Sequence, residues 1–357
     1  MLKHSTIENF DKLQANRRLI CFGAGENFKE ILFNHKWKVS MVVDGDESKI
    51  GTVIDYLTVG GWREIEKRIT DGDILLITPV FFKDIYNKIM GNTLLKECDV
   101  YIYDLMKRLQ YDADRDKYER RTICIGRRME KRIPPIIHYF WFSGDPFPDS
   151  VKECIESWKR FCPEFKIIKW DMNNYDFSRN RFALEAIKCR KWAFASDFAR
   201  ADVIYRYGGI YLDTDVELIR DISDLLYNDA FIGFQDNDEI DPGSGFGATP
   251  GNSIVREFMD IYKDISFEIG EGKFNTIACP VYYTEVLENH GLVKNGAYQV
   301  VDGFTTYPYD FLCPHSYRSG RTYCSHNTYS IHHHKGGWLN KEIKEREQLA
   351  HCLLAND

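Results

Sequence analysis

Short apolar runs alternate with helix-forming stretches along the chain, and this alternation limits the fold more than any other feature of the sequence. Leu19–Phe22 predicts a strand, which passes through Gly23-Ala24-Gly25 into a helix that reaches Leu32. Because strands that alternate with helices form parallel sheets covered by helices, this region predicts a small Rossmann-like α/β domain. Its further strands are predicted at Val39–Val43, Ile74–Ile77 and Val100–Tyr103.

The same alternation returns after Pro134-Pro135 and predicts a second α/β domain. A long helix is expected at Ala193–Tyr207, because its apolar residues recur at helical spacing and Gly208-Gly209 can end it. Strands are expected at Ile136–Phe142, Phe165–Trp170 and Ile210–Leu212.

The boundary between the two domains falls in a basic segment. Residues Met106–Arg132 contain ten Lys or Arg and five acidic residues, an excess of +5. We therefore predict a Rossmann-like domain at 1–110, a basic connector at 111–132 and a second domain at 133–357. The connector is interpreted as a solvated helical segment, and the alternative is a patch that docks an acceptor or a membrane surface.

Composition excludes several classes of protein. Lys and Arg total 47 against 54 Asp and Glu, a net charge of -7, so the chain has no overall basic field to attract nucleic acid. The ten cysteines include no C-x-x-C pair, which leaves a zinc ribbon or a thioredoxin-like motif without support. No stretch has the length and apolarity of a signal peptide or a membrane span, so we expect a cytoplasmic protein with free thiols.

Two acidic residues follow the predicted strand Ile210–Leu212. Asp213 and Asp215 stand one residue apart there, and two buried carboxylates are costly unless a cation or hydrogen-bond donors compensate them. Mg²⁺ and Mn²⁺ favour such oxygen ligands, although any exposed strand end can carry two aspartates. In the preceding helix Asp197 and Arg200 share one face, and we interpret them either as a sugar-binding pair or as an ordinary helix ion pair.

At this point the sequence resembles a known family, the D-x-D glycosyltransferases of family 32. These include bacterial capsule and lipopolysaccharide sugar transferases and yeast initiating mannosyltransferases, with clostridial glucosylating toxins as distant relatives. The resemblance covers roughly residues 133 to 340 and leaves the first domain unexplained. Four ordered motifs carry it: Ile133–Phe142, Trp192–Arg200, Tyr207–Asp215 and Ile331–Trp338.

The resemblance implies a GT-A fold, a nucleotide-sugar donor, a bound Mn²⁺ or Mg²⁺, and transfer with retention of anomeric configuration. By the match, Trp141 stacks on the donor base and Asp215 ligates the metal. Asp197 and Arg200 bind the sugar, and Asp213 touches hydroxyls of the ribose or the sugar. We expect these four charged residues to form the catalytic site.

The last of the four motifs, Ile331–Trp338, is called the late motif below. The resemblance assigns roles to two of its residues. Trp338 matches a tryptophan that in the related toxins donates its indole N–H to the diphosphate, and His333 is the candidate for a metal ligand or a residue supporting the metal. The chain reads Gly336-Gly337-Trp338 where the family usually has Gly-Ser-Trp, so a serine hydroxyl near the metal is absent. Water or His333 is expected to replace it.

The first domain contains an incomplete dinucleotide fingerprint. Gly23-Ala24-Gly25 opens like G-x-G-x-x-G, and Asp44 lies about twenty residues further on, where a ribose would bind. Phe28 stands in place of the third glycine. We interpret the domain as a scaffold or docking module, with nucleotide binding as the alternative.

The leading hypothesis is a bacterial, metal-dependent hexosyltransferase that uses a UDP-sugar and acts on a surface polysaccharide or a lipid-linked glycan. A lipid-linked acceptor would bring the protein to the inner face of the membrane, through the segment Lys107–Arg132. Two alternatives stay open. One is a sugar-nucleotide oxidoreductase that works through Gly23, Gly25 and Asp44, and the other is a catalytically idle sugar-nucleotide binding module.

Overall fold

A computed structural model describes residues 1–70, 72–116, 122–126, 130–235, 239–336 and 339–355. The chain divides into two compact units. The first comprises Met1–Arg120, Arg318–Gly320 and Asn340–Asp357, and the second comprises Arg121–Tyr317 and Arg321–Leu339. The division differs from the sequence-based one at the end of the chain, because the C-terminal helix (Lys341–Ala355) belongs to the first unit. Within the described residues, no helix combines the length and apolarity that crossing a membrane requires.

The first unit is built on a six-stranded sheet with the order β3-β4-β2-β1-β5-β6. Every pairing in it is parallel except the one between β3 and β4. The central strands are buried along their whole length, as expected for a sheet covered on both faces. The strands are β1 (Leu19–Phe22), β2 (Val39–Val43), β3 (Val53–Ile54), β4 (Leu57–Gly60), β5 (Ile74–Ile77) and β6 (Asp99–Ile102).

Two apolar cores lie on the two faces of this sheet. One includes Phe10 and Phe28, and the other includes Ile89 and Leu354 of the C-terminal helix. Arg108 fixes that helix, because its guanidinium lies 2.6 Å from a carboxylate oxygen of the buried Glu347. The helices are α1 (Ile7–Gln14), α2 (Glu26–Asn34), α3 (Trp62–Glu66), α4 (Lys83–Met90) and α5 (Tyr103–Asp116), with a 3-10 turn at Leu95–Glu97.

The second unit is built on a seven-stranded mixed sheet with the order β15-β16-β11-β12-β9-β7-β8. Two further strand pairs, β10 with β17 and β13 with β14, stand apart from it. The strands are β7 (Ile136–Phe140), β8 (Lys166–Trp170), β9 (Gly209–Tyr211), β10 (Val216–Leu218), β11 (Ala230–Phe234), β12 (Ile240–Ala248), β13 (Glu268–Gly270), β14 (Lys273–Phe274), β15 (Gln299–Val301), β16 (Phe304–Tyr307) and β17 (Ser330–His332).

Helices cover both faces of the larger sheet and bury two cores, one around Phe246 and Phe258 and one around Trp158 and Phe311. The α/β class with parallel sheets is therefore confirmed. The helices are α6 (Asp149–Phe161), α7 (Arg181–Lys188), α8 (Trp192–Tyr207), α9 (Ser253–Asp260), α10 (Cys279–Asn289) and α11 (Tyr309–Leu312), with 3-10 turns at Phe177–Arg179, Ser223–Tyr227 and Ile261–Lys263.

Three adjacent strands of this sheet, β8, β7 and β9, run parallel. Their carboxyl ends therefore meet at one edge, where open α/β sheets commonly bind ligands. Gly209 permits the close pairing of β9 with β7: its φ is +100°, and a Cβ there would lie 2.7 Å from the carbonyl oxygen of Ile136. The chain leaves β9 at this edge, and Asp213 follows two residues after the end of the strand.

Candidate functional site

Arg200 is the centre of a buried charged cluster at this edge. Its Nη2 lies 3.3 Å from Asp197 Oδ1 on the same helix and 3.5 Å from Asp213 Oδ1 beyond β9. The Tyr211 hydroxyl donates to Asp213 Oδ1 at 2.5 Å, and the guanidinium lies over the Tyr211 ring. The structure thus brings together three of the residues that the sequence singled out.

The charges in this cluster are unbalanced. One guanidinium faces two carboxylates, and both Asp197 and Arg200 are almost fully buried. Burial raises the pKa of Asp197 to about 7, against the opposing effect of the Arg200 charge. Burial alone would lower the pKa of Arg200, but its acidic neighbours, of which Asp213 has the largest effect, together hold that pKa well above its ordinary value. Arg200 therefore stays charged while Asp197 is poised to exchange a proton near neutrality.

Gly243 on β12 is a site residue that the sequence did not identify. Asp213 N–H donates to the Gly243 carbonyl at 3.0 Å, so the two backbones are in direct contact. A Cβ at position 243 would lie 2.5 Å from Asp213 Oδ2. Only a glycine leaves room for the Asp213 carboxylate in this position.

Asp215 is held by groups from the late motif. Lys335 N–H donates to Asp215 Oδ2 at 2.9 Å, and His332 Nε2 lies 3.3 Å from Asp215 Oδ1. Burial alone would raise the pKa of the Asp215 carboxyl, but the His332 imidazole and the hydrogen bonds hold it well below its ordinary value. Asp215 is therefore an ionised carboxylate over the whole neutral range.

The expectation for His333 needs a correction, because His332 is the histidine at the aspartates. β17 pairs antiparallel with β10 so that His332 lies opposite the buried Val216. His333 follows the last residue of β17, and its half-buried side chain places Nε2 3.1 Å from Glu217 Oε2. Only its backbone reaches the site, since His333 N–H donates to the Asp215 carbonyl.

His332 also contacts a second buried carboxylate, Asp241 on β12. Its Nδ1 lies 2.8 Å from Asp241 Oδ2, so the ring stands between Asp241 and Asp215. Burial alone would lower the pKa of the His332 imidazole, but these two carboxylates hold it well above its ordinary value. The late motif is therefore tied to the aspartate pair through one charged imidazole.

Trp141 lies one residue past the end of β7, at the same edge as Asp213. It is half-buried, and its indole N–H donates to the Asp145 carbonyl at 2.8 Å. The ring edge meets Phe147 with centroids 5.0 Å apart. Part of this aromatic surface is therefore open to solvent. The prediction for Trp338, and the departure at Gly337, lie outside the described residues.

A divalent cation fits the residues present at the aspartate pair. Asp213, Asp215 and His332 each offer a ligand atom, and these atoms lie within 4.8 Å of one another. Carboxylate oxygens suit Mg²⁺ and Mn²⁺, and an added imidazole nitrogen favours Mn²⁺ of the two. His333 is absent from this group.

A polar cavity of about 390 Å³ lies beside this group. Lys335, whose backbone N–H binds Asp215, contributes to its wall together with Arg160. Glu217 and His333, which bind each other, form another part of the wall. His333 of the late motif therefore lines a cavity next to Asp215.

The G-x-G loop of the first unit has a different environment. Ala24 N–H donates to Asp44 Oδ2 at 2.7 Å, and the same oxygen lies 3.1 Å from Lys49 Nζ. Gly23 has φ +103°, and a Cβ there would lie 2.5 Å from Pro79 Cγ. The chain's own backbone and a lysine thus occupy the carboxylate that the fingerprint assigns to a ribose.

Comparison with known proteins bears on the second unit. Residues 148–232 match the family model "glycosyltransferase sugar-binding region containing DXD motif". This stretch contains Asp197, Arg200, Asp213 and Asp215, and it ends before the late motif. The resemblance found in the sequence is confirmed for this part of the chain.

A curated protein of Acanthamoeba polyphaga mimivirus, described as an uncharacterized glycosyltransferase, is 32% identical over 100 residues, or 26% of this chain. The matched region spans 40% of that viral protein's length. A solved structure titled PaToxG Glycosyltransferase aligns with 44% of this chain and 68% of its own, at 17% identity and a TM-score of 0.36.

Proposed function

We propose that this chain is a metal-dependent, retaining glycosyltransferase of the GT-A type, which moves a hexose from a nucleotide sugar to a glycan acceptor. One observation carries the proposal. Within the stretch that matches the DXD family model, Asp197, Arg200, Asp213 and Asp215 converge where the parallel strands β8, β7 and β9 of the mixed sheet end. Unbalanced carboxylates beside a buried guanidinium suit a ligand that brings hydroxyl groups and a cation.

Each residue then has a role that follows from its position. Asp197 and Arg200 bind hydroxyl groups of the donor sugar, since both present polar atoms beside Asp213. Asp215 and Asp213 hold the cation, and His332 orients Asp215. The exposed part of Trp141 stacks on the base, and Trp338 is proposed to donate to the diphosphate. Without a fixed position for the base ring, the preference for a UDP-sugar rests on the resemblance alone.

The proposed reaction requires stabilisation of the negative charge that develops on the leaving group. Breaking the bond between the anomeric carbon and the diphosphate leaves negative charge on the departing oxygen, and a bound Mn²⁺ or Mg²⁺ supplies a Lewis acid for that charge. Arg200 fixes the orientation of the sugar through a guanidinium that is already desolvated. For retention, we propose that the departing phosphate oxygen accepts the proton of the acceptor hydroxyl on the same face of the sugar.

The acceptor is proposed to be a surface polysaccharide or a lipid-linked glycan. The basic segment Lys107–Arg132, apart from the buried Arg108 and Arg115, would then bring the protein to an anionic membrane surface from the cytoplasmic side. The test is flotation of the full chain with anionic vesicles and, as the control, with neutral ones. Recovery of the protein only with anionic vesicles supports this part, and a wholly unbound protein contradicts it.

Donor hydrolysis tests the main proposal without a known acceptor. The protein is incubated with a panel of UDP-, GDP- and other nucleotide sugars and Mn²⁺, beside Asp215→Ala and the control Asp149→Asn, an exposed residue of α6. We expect one donor to release nucleotide with the wild type and the control, and not with Asp215→Ala or with EDTA. Metal-dependent binding without turnover would favour the idle-module alternative, and binding of NAD alone would favour the oxidoreductase.

A further inference from the structure

Four side chains with the chemistry of zinc ligands meet behind the aspartate pair. Each offers one ligand atom, and the four atoms lie within 4.8 Å of one another. They come from four separate points of the second unit: β12, the residue that ends α11, the last residue of β17 and the turn after it. The four are Asp241, Cys313, His332 and His334.

The contacts within this cluster pair its members. Cys313 Sγ lies 3.0 Å from His334 Nε2, and His332 Nδ1 lies 2.8 Å from Asp241 Oδ2. The rings of the two histidines have centroids 4.0 Å apart. Asp241, Cys313 and His332 are buried and His334 is half-buried, so the ligand atoms face one another rather than solvent.

The backbone of His334 is an independent sign that this side chain is needed in place. Its φ is +46°, in the left-handed region that residues other than glycine seldom adopt. Such conformations persist where the surroundings require them, and they concentrate at ligand and active sites. The turn after β17 thus directs the imidazole of His334 toward Cys313.

We propose that Asp241, Cys313, His332 and His334 form a tetrahedral zinc site, separate from the cation site at Asp213 and Asp215. Two imidazoles, a thiolate and one carboxylate are all established zinc ligands, and the thiolate selects against Mg²⁺. Binding replaces two internal contacts, Cys313 with His334 and Asp241 with His332, and it releases two protons, one from the Cys313 thiol and one from Nδ1 of the charged His332 imidazole.

His332 links the two sites. The nitrogen that faces Asp241 binds zinc, and the opposite nitrogen donates its proton to Asp215. A metal-bound imidazole that donates to a carboxylate is the usual arrangement around protein zinc. The zinc ion thereby fixes the orientation of Asp215, while the substrate-side cation exchanges independently.

The first experiment measures the metal content of the full chain after incubation with Zn²⁺ and removal of unbound metal. We expect one zinc ion per chain in the wild type, in Asp215→Asn and in Cys162→Ser, a variant of another buried cysteine of the second unit. Cys313→Ser and His334→Ala are expected to lose it. Asp215→Asn removes the charge of the substrate-side ligand but keeps an oxygen that accepts from His332, so failure of the proposed transferase activity is distinguishable from failure of this site.

The main result of the second experiment comes from the wild-type protein, so a folding defect in a variant does not affect it. Co²⁺ replaces Zn²⁺ in the wild-type protein, and a sulfur-to-cobalt charge-transfer band in the near ultraviolet is expected. Cys313→Asp keeps a ligand without sulfur, and we expect it to bind Co²⁺ without that band. A wild type that binds no Zn²⁺ and shows no such band would overturn the proposal and leave the cluster as a hydrogen-bonded network.

Discussion

Both units end a parallel strand just before an aspartate, but the carboxylates of the two sites meet different neighbours. In the first unit Asp44 accepts from Ala24 N–H and pairs with Lys49, so its own chain compensates its charge. In the second unit Asp213 shares one guanidinium with Asp197. A pattern of glycines and aspartates therefore indicates a ligand site only where the protein's own cations and hydrogen-bond donors do not balance the charge of the carboxylates.

The largest expected difference between the two regions is the loss of stability when the cation beside each aspartate is removed. Arg200→Met removes the only charge that faces Asp197 and Asp213 in the described cluster, and an uncompensated buried carboxylate costs about 3–5 kcal/mol. Lys49→Met in the first unit exposes Asp44 to water and is expected to cost about 0–1 kcal/mol. Urea unfolding of both variants measures the difference, and equal losses would contradict it.

Donor turnover gives the next largest effect. Asp215→Asn is expected to lower the rate of donor hydrolysis by about 10²–10³-fold, because a ligand for the charge-stabilising cation loses its charge. Asp44→Asn is expected to leave that rate unchanged, since its carboxylate serves the fold of the first unit. Steady-state rates with saturating Mn²⁺ provide the measurement. A comparable loss in Asp44→Asn would assign the first unit a part in donor binding.

A steric change at each aspartate separates the two regions further. Gly243→Ala places a methyl group against Asp213 Oδ2, and such overpacking costs about 1–3 kcal/mol. Gly45→Ala, beside Asp44, meets nothing within 4 Å and is expected to change stability by less than about 0.5 kcal/mol. Thermal unfolding and donor hydrolysis of both variants test this, and an unaffected Gly243→Ala would show that Asp213 moves freely.

The pH dependence of stability has opposite signs in the two regions. Burial raises the pKa of Asp197 to about 7, so its folded form keeps a proton that the unfolded chain releases near pH 4. Stability therefore falls as pH rises between these values, by at most about 1.4 kcal/mol per unit. The pKa of Asp44 is lowered: burial is outweighed by hydrogen bonds from Ala24 and Asp46 and by Lys49. Its contribution is lost as pH falls below about 4.

Urea titrations at several pH values, without divalent cations, compare the wild type with Asp197→Asn and Asp44→Asn. The first variant is expected to flatten the slope between about pH 4 and pH 7, and the second to flatten it only at lower pH. An Asp197→Asn variant whose slope matches the wild type would show that this carboxyl titrates normally.

Much of the fold could be predicted because local patterns of apolar residues determine most of its strands and helices. β1, β2 and β5 occupy the predicted ranges, since β1 and β5 are uninterrupted apolar runs and β2 is interrupted only by Ser40. The pair β3 and β4 was not predicted, because β3 is two residues long and one of them is exposed. The strand expected at Val100–Tyr103 lies one residue earlier, and Tyr103 begins α5.

The candidate site likewise contains residues that local patterns predict and residues that only the tertiary structure brings there. Asp197 and Arg200 could be placed on one face because helical spacing fixes it, and Asp213 could be placed at a strand end. The choice between His332 and His333 depends on how β17 pairs with β10, which the sequence of either strand does not contain. Asp241, Gly243 and Cys313 join the site through contacts between distant segments, and no motif marks them.

The short pairing of β10 with β17 has a consequence for how this chain tolerates insertions and deletions. Only three residue pairs align the two strands, and the side chains alternate between the faces. A single-residue deletion between the strands could shift this alignment by one position. A neighbouring residue would then lie opposite Val216, and the side chain of His332 would face outward. We expect the length of residues 219–329 to matter most near β17, because a change there is transmitted directly to this alignment.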